Sequence, residues 1–307
     1  MRNKGRIFFL LIFMLVNAGT QKFVPAQTIP VFLSNKYSLY LKVLEGFKAQ
    51  FKGQIKEYQM EGDIKKGEFF IKEIGSKSPR LVFVIGPRAA QIAKQELKED
   101  TTILVGMVIN PFHYGLEGKN ICGIYWRTAP QEQFKVLKEI APSVKKIGVI
   151  YSSSYKEVIE EAKQAGYTVG LEIIEKEAER KADVAKAIKK LEGKIDAYWL
   201  LPDPVVANRI VFRKILLSTF TQGIPLVCPA QAFIKEGGMF SLDVNYEEMG
   251  KELGKIANQI LSGKTSAQQL KFQYPKKPKL IINSKIIEKL GLTIPSSLLK
   301  KAEKVYE

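Results

Sequence analysis

A short apolar run, a turn and an amphipathic helix recur along this chain in two successive series. The first series begins at residues 29–33 (IPVFL) and the second at Lys146–Tyr151 (KIGVIY). In the first, residues 37–51 carry Leu41, Leu44, Phe47 and Phe51 at three- and four-residue steps and predict a helix. Residues 54–60 alternate like a strand, residues 67–74 predict a second helix, and Leu81–Ile85 (LVFVI) is a continuous apolar run of the kind buried on both faces of a parallel sheet. A helix over residues 88–97 and a strand over 103–109 follow. In the second series Thr128 and Pro130 predict a capped helix over 131–140, with Thr128 as the cap. After KIGVIY the pattern predicts helices at 157–165, 178–191 and 205–221. Strands are expected between them at 168–174, ending at Leu201, and at 224–228. Short buried strands alternating with helices build doubly wound α/β sheets. Two such series predict two Rossmann-like lobes.

What remains after the second series is too much for one lobe alone. Residues 237–244 predict a strand, and Asn245 caps a helix with Glu248 at its third position and Met249, Leu253, Ile256, Ala257 and Ile260 on one face. Gly263 ends that helix, and a stretch rich in lysine and proline, 271–279, leads to a strand (LIIN) and two short terminal helices. The surplus implies that the chain crosses back to complete both lobes through several hinge strands. Lobe 1 is expected at 27–123, completed by about 245–265, and lobe 2 at 124–244, completed by about 276–307.

The first 26 residues have the form of a leader. Arg2, Lys4 and Arg6 precede an apolar stretch over 7–16, which is half of the roughly twenty residues a membrane-spanning helix needs. Val24-Pro25-Ala26 suits cleavage after Ala26, so export as a secretory protein is expected, with a retained membrane anchor as the alternative. No cysteine stands near the apolar stretch to accept lipid. Removing the leader deletes Arg2, Lys4, Arg6 and Lys22 and no acid, taking the formal charge from +17 to +13. The lysines are dispersed beside glutamates on helix faces, with no basic run interleaved with aromatics, so no nucleic-acid partner is expected. Cys122 and Cys228, each inside an apolar strand-like stretch, are expected as two buried free thiols rather than a bridge.

In open α/β sheets ligands bind beyond the carboxyl ends of the strands. That places Ser34 and Tyr37 after the first strand, and Arg88 after LVFVI, at a helix N-terminus able to receive a carboxylate. Asn110 and Phe112 follow the fourth strand; Ser152, Asp203 and Gln231 follow strands of the second series. Each of these positions has an ordinary structural use as well: Asp203 and Asp243 as caps, Ser152–Ser154 as a helix-entry loop, Trp126 and Trp199 as packing between the lobes. Catalysis finds little support. There is no phosphate-binding loop, no G-x-G-x-x-G, no G-x-S-x-G elbow, no HExxH or CxxC, and His113 is the sole histidine. No catalytic residue, metal or cofactor is expected.

Several segments resemble one family. VFLSNKYSLYLKVLEGFKAQF, FVIGPRAAQIAKQ, TTILVGMVINPFHYGLEGKNICGI, IDAYWLLPD, GIPLVCPAQAFIKEGGMFSLDVNYEEMGKELG and LIINSKIIEKLGLTIPSSLLKKAEKVY are similar, in order and spacing, to ABC-transporter substrate-binding proteins of the tryptophan/tyrosine type. The resemblance implies a type I periplasmic-binding fold that closes on a small, amino-acid-like ligand and delivers it to a membrane permease. It implies a periplasmic, extracytoplasmic, monomeric protein. Three positions depart from the family pattern: Pro87-Arg88 where a small hydroxyl residue is usual, Asn110 for an acid, and Cys122 for threonine. The expected assignment sets Arg88 against a ligand carboxylate and Asp203 against a ligand amine, with Ser34, Asn110 and Ser152 as further polar groups and Tyr37 and Phe112 as walls. Two rivals stand beside it: a ligand-sensing receptor that docks on a membrane sensor, and a periplasmic enzyme.

Overall fold

The computed structural model describes residues 28–307. The expected leader and its cleavage site therefore lie outside the described residues. Lobe 1 starts with β1 (Thr28–Leu33), α1 (Ser38–Gln50), β2 (Gln54–Gln59), α2 (Ile64–Gly75), β3 (Leu81–Ile85), α3 (Pro87–Glu96), β4 (Thr102–Val108) and β5 (Ile121–Tyr125). The chain then enters lobe 2 with α4 (Pro130–Ile140), β6 (Lys146–Tyr151), α5 (Lys156–Thr168), β7 (Glu172–Glu177), α6 (Lys181–Leu191) and β8 (Ala197–Trp199). It continues there through α7 (Arg209–Gln222), β9 (Leu226–Cys228), α8 (Gln231–Lys235) and β10 (Phe240–Asp243). It returns to lobe 1 for α9 (Tyr246–Leu261), α10 (Ala267–Leu270) and β11 (Phe272–Gln273). It ends in lobe 2 with β12 (Lys279–Asn283), α11 (Ser284–Lys289), α12 (Ser296–Lys301) and β13 (Ala302–Tyr306). Three crossings result, at residues 126–129, 244–245 and 274–278.

The lobe 1 sheet runs β11-β5-β4-β3-β1-β2, all parallel. The lobe 2 sheet runs β13-β12-β10-β9-β8-β6-β7, parallel except where β12 pairs antiparallel with β10. This is the doubly wound two-lobe α/β fold that the sequence pattern predicts. In lobe 1 the strand period of two divides the core in half. Ile29, Val31 and Leu33 face α1 and α9, whereas Phe32 packs with Tyr58 and Ile71 on the side of α2 and α3. Both cysteines are buried and free, Cys122 in β5 and Cys228 in β9.

The short elements α8, α10 and β11 were not among the sequence-based expectations, and four further local details differ from them. The strand expected at 168–174 is β7 at Glu172–Glu177, because α5 runs on to Thr168 and Gly170 then turns the chain with a φ of +71°. The helix expected from residue 205 begins at Arg209, where the Asn208 side chain accepts from the Val211 N–H. Thr128 does not cap α4; its hydroxyl donates to the Leu242 carbonyl at 3.1 Å, and Ala129 stands at the helix start. The C-terminus adds a strand, β13, beyond the two expected helices.

Lobe 1 closes where α9 lies against α1 with backbone nearly touching backbone. A Cβ on Gly46 would stand 2.1 Å from the Glu247 carbonyl oxygen, and one on Gly250 would stand 2.1 Å from that of Val43. Gly250→Ala therefore has to push the two helices apart, and since no flexible side-chain end can yield, the loss should reach the upper part of the about 1–3 kcal/mol typical of overpacking. Urea unfolding of the variant beside the unsubstituted chain measures it; an unchanged midpoint would contradict the close approach.

Candidate functional site

Each sheet reverses its winding direction once, between β1 and β3 in lobe 1 and between β6 and β8 in lobe 2, and ligand crevices form at such points. The two crevices are built alike. In lobe 1 the Ser34 hydroxyl, at the end of β1, accepts from the Ala89 N–H in the first turn of α3 at 2.9 Å. Gly86, with a φ of +97°, lets the chain turn tightly there. A Cβ at that point would meet the Tyr40 hydroxyl and the Ser34 hydroxyl within 2.8 Å. In lobe 2 the Ser152 N–H, at the end of β6, donates to Asp203 at 2.6 Å.

These bonds fix what the sequence-predicted groups do. Asp203 is fully buried and spends one oxygen on Ser152 N–H and the other on Val205 N–H, so it clamps two loops. The Ser152 hydroxyl meets that of Ser154. Arg88 is exposed and its guanidinium donates to the Gly62 carbonyl at 2.7 Å. Tyr37 and Phe112 are exposed on the lobe 1 rim. Gln231 gives its side-chain amide to the Tyr306 hydroxyl on the edge strand β13 and its backbone N–H to Asp243. Asn110 crosses between the lobes: its amide donates to the Ser154 carbonyl at 2.6 Å and to Glu157 at 3.2 Å, while its buried oxygen has no partner.

A pocket of about 220 Å³ opens between the lobes at the hinge. Trp126, Tyr246, Trp199 and Phe233 give it aromatic walls, and Asp243, Gln133, Thr128 and Arg127 are its polar residues. None of the eight predicted site residues lines it. Gln133 is held by the Trp199 indole N–H at 2.9 Å. Burial raises the Asp243 carboxyl above the ordinary aspartate range, opposed by the N–H groups of Gln231 and Val244. Burial first, then the charge of Asp243, pushes Tyr246 up to about 12. Tyr37, Tyr40 and Trp126 meet edge to face in a row that runs from the lobe 1 rim to this pocket. Among the described residues, no group of three or more His, Cys, Asp or Glu side chains is placed to hold a metal ion.

The hinge itself holds a cluster that the sequence did not announce. Arg127, in the first crossing, donates to the Ile109 carbonyl, to the Tyr274 hydroxyl in the third crossing and, at 2.7 Å, to Glu161 on α5. Tyr274 in turn donates to Glu161. The guanidinium also lies over the rings of Tyr125 and Tyr274, 4.6 and 5.0 Å from their centroids. The Arg127 side chain is only 6% exposed, so its charge is satisfied inside the hinge, where the residue also forms part of the pocket lining. The one cue was an arginine set directly after an apolar strand; Tyr274 and Glu161 gave none.

The family profile of ABC transporter substrate binding proteins matches residues 40–306. The chain belongs to this family. A tyrosine-binding protein of Clostridioides difficile is 26% identical over 243 residues, spanning 74% of this chain and 68% of the relative. An uncharacterised protein of Rickettsia prowazekii is 23% identical over 297 residues, 95% of this chain and 92% of the relative. Among solved structures, the L-tryptophan complex of an ABC domain from Streptococcus pneumoniae is 26% identical, with a TM-score of 0.63 over 91% of this chain and 99% of the other. The ligand-free, open form of a substrate-binding protein with adhesive properties from Clostridium difficile reaches 0.72 at 24% identity over the same shares. The family is one of substrate-binding proteins with the type I periplasmic-binding fold.

In this substrate-binding protein, Arg127→Met should strand Glu161 and Tyr274 and free the first crossing from the third. The expected cost is about 1.5–3 kcal/mol, the range for hydrogen bonds to charged groups. Urea unfolding gives the stability change, and small-angle scattering should show a broader range of lobe separations; an unaltered scattering profile would mean the cluster does not restrain the hinge.

Proposed function

We propose that this chain is the extracytoplasmic capture component of an ABC importer, taking one amino-acid-sized ligand with an aromatic side chain into the hinge pocket and closing over it. The observation that carries this is the pocket itself: four aromatic walls around a carboxylate, in a space smaller than the about 300–1,000 Å³ of pockets for drug-sized ligands. Membership of the family, and relatives described as tyrosine-binding and as a tryptophan complex, support the ligand class. In this proposal Asp243 takes the ligand amine, the role first assigned to Asp203: each carboxylate accepts two backbone N–H groups, but Asp203 is fully buried away from the pocket, whereas Asp243 lines it. The carboxylate falls to lobe 1, to Arg88 and the N-terminal turn of α3. A ligand that touches both lobes stabilises the closed state by its extra contacts there, and the closed form is what a membrane permease would receive. Monomeric capture outside the cytoplasm after export by the leader completes the proposal.

The test is thermal unfolding against the full set of free amino acids and related aromatic metabolites. A ligand at a hundred times its Kd should add about 2.7 kcal/mol to the stability of the protein. No rise in melting temperature with any aromatic amino acid would overturn the ligand class. Asp243→Asn should weaken binding by about tenfold or more, since a charge-assisted hydrogen bond is lost.

The pH dependence follows from the raised pKa of Asp243. The ligand ammonium needs the carboxylate ionised, so affinity should be full at neutral pH and fall as the pH drops through that pKa, beginning at a higher pH than for an ordinary aspartate. In the free protein the sign reverses. The folded state holds this proton more tightly than the unfolded chain, so the Asp243 contribution to stability is lost as pH rises through the raised pKa. Calorimetric titrations at a series of pH values, repeated with Asp243→Asn, check the first point; acid-range melts check the second.

A further inference from the structure

Outside the lining of the hinge pocket, α7 presents an outer face that nothing among the described residues covers. Its inner face buries Val211, Phe212, Ile215 and Thr219 against the sheet. At 100° per residue the opposite face carries Ile210, Leu217 and Phe220, which are 70%, 67% and 65% exposed. Arg209, Arg213 and Lys214 are interleaved with them, and α7 has no acidic residue. Among the described residues these three cations make no ion pair and no side-chain hydrogen bond. Arg209 stands at the first helical position, where the helix dipole disfavours a cation, so local structure does not account for it.

Grooves of about 650 and 570 Å³ run on either side of this ridge, one against α6 and one against α11. Their floors are apolar, with Ile188 and Ile195 in the first and Leu226 and Leu290 in the second. Lys189 and Lys289 on the rims add to the three cations of α7 and outnumber the acids there, Glu192 and Glu236.

We propose that this face of lobe 2 docks on an anionic lipid bilayer. Protruding aliphatic and aromatic side chains beside unpaired Arg and Lys are the make-up of a helix that lies in the membrane interface. The chemistry of the ridge calls for a partner that is negative and apolar over the same surface, and a bilayer of anionic phospholipid supplies acyl chains for Leu217 and Phe220 and phosphates for Arg213 and Lys214. A second copy of the chain fits less well. Isologous pairing across this helix would bring Arg213 and Lys214 of both copies together. Because no residue of α7 lines the hinge pocket, the proposal stands apart from the ligand assignment.

The test places an indole on the ridge. Full-length Phe220→Trp is mixed with vesicles carrying brominated acyl chains, either of phosphatidylglycerol or of phosphatidylcholine, with the unsubstituted chain as the blank for Trp126 and Trp199. Quenching of the introduced indole reports this face alone, whatever else of the chain touches the vesicle. Quenching by the phosphatidylglycerol vesicles and not by phosphatidylcholine is expected. Arg213→Glu with Lys214→Glu in the same background should lower the apparent vesicle affinity by about tenfold or more, as should salt at about 0.5 M. Circular dichroism melts confirm that the substituted chains are folded. Absence of quenching, or equal quenching by the neutral vesicles, overturns the proposal. So does a blue shift without vesicles that grows with protein concentration, which would assign the ridge to a second copy.

Discussion

The contact between α1 and α9 governs the architecture. The first strands of lobe 1 leave one side of the sheet, with Ile29, Val31 and Leu33 on it, too broad for α1 to cover alone. α9 supplies the rest through Met249, Leu253 and Ala257, and it comes from a part of the chain that has already built most of lobe 2. The chain must therefore return, and having returned it must leave again to place β12 and β13. Three crossings are the topological result, and a hinge of three strands is what brings Trp126, Arg127, Asp243 and Tyr274 near one another. The hinge pocket and the Arg127 cluster are consequences of completing lobe 1 from a distance. Gly46 and Gly250 make that completion possible, since a side chain at either position would meet backbone.

Most of the fold was legible because both sheets are dominated by parallel strands buried on both faces, and these read as short, continuous apolar runs. Leu81–Ile85 and Lys146–Tyr151 lie where the pattern puts them. The edge strand β7 was displaced because it reads EIIEKE: half-exposed and charged, it has no apolar run of its own, and the preceding TVG looked more strand-like than it is. β13 was missed for the same reason, being an edge strand of AEKVY. Asn245 was legible as a cap because Asn followed by Glu three residues on is a local signal, and its side chain does accept from the Glu248 N–H. Thr128 carried an equally good local signal, but the nearby Leu242 carbonyl, more than a hundred residues away, took its hydroxyl.

The strand-end rule leads to residues beside the hinge pocket and not to its lining, which includes none of the eight expected residues. Ser34, Arg88, Asn110, Ser152 and Asp203 all stand at strand ends around the cleft, as the winding of the sheets requires. Which of them has a free polar atom depends on neighbours that a sequence does not reveal. Ser34 is bonded to Ala89 N–H, Arg88 to Gly62, and Asp203 to two backbone N–H groups. The pocket instead gathers residues from the crossings, Trp126, Asp243 and Tyr246, with the ends of β8 and β9. Its chemistry depends on how three distant stretches converge, and no spacing within the chain encodes that.

The glycine seam between α1 and α9 also sets a clock. Its two halves are separated by about two hundred residues, which at the roughly 5–20 residues per second of synthesis means about 10–40 seconds between them. For that interval the α1 side of the first sheet has only α1 as cover, while the segment that will become lobe 2 is still being made. Lobe 2 in turn lacks its last strands until the C-terminus emerges. Neither lobe can finish before almost the whole chain exists, so the final packing of both waits on segments made late.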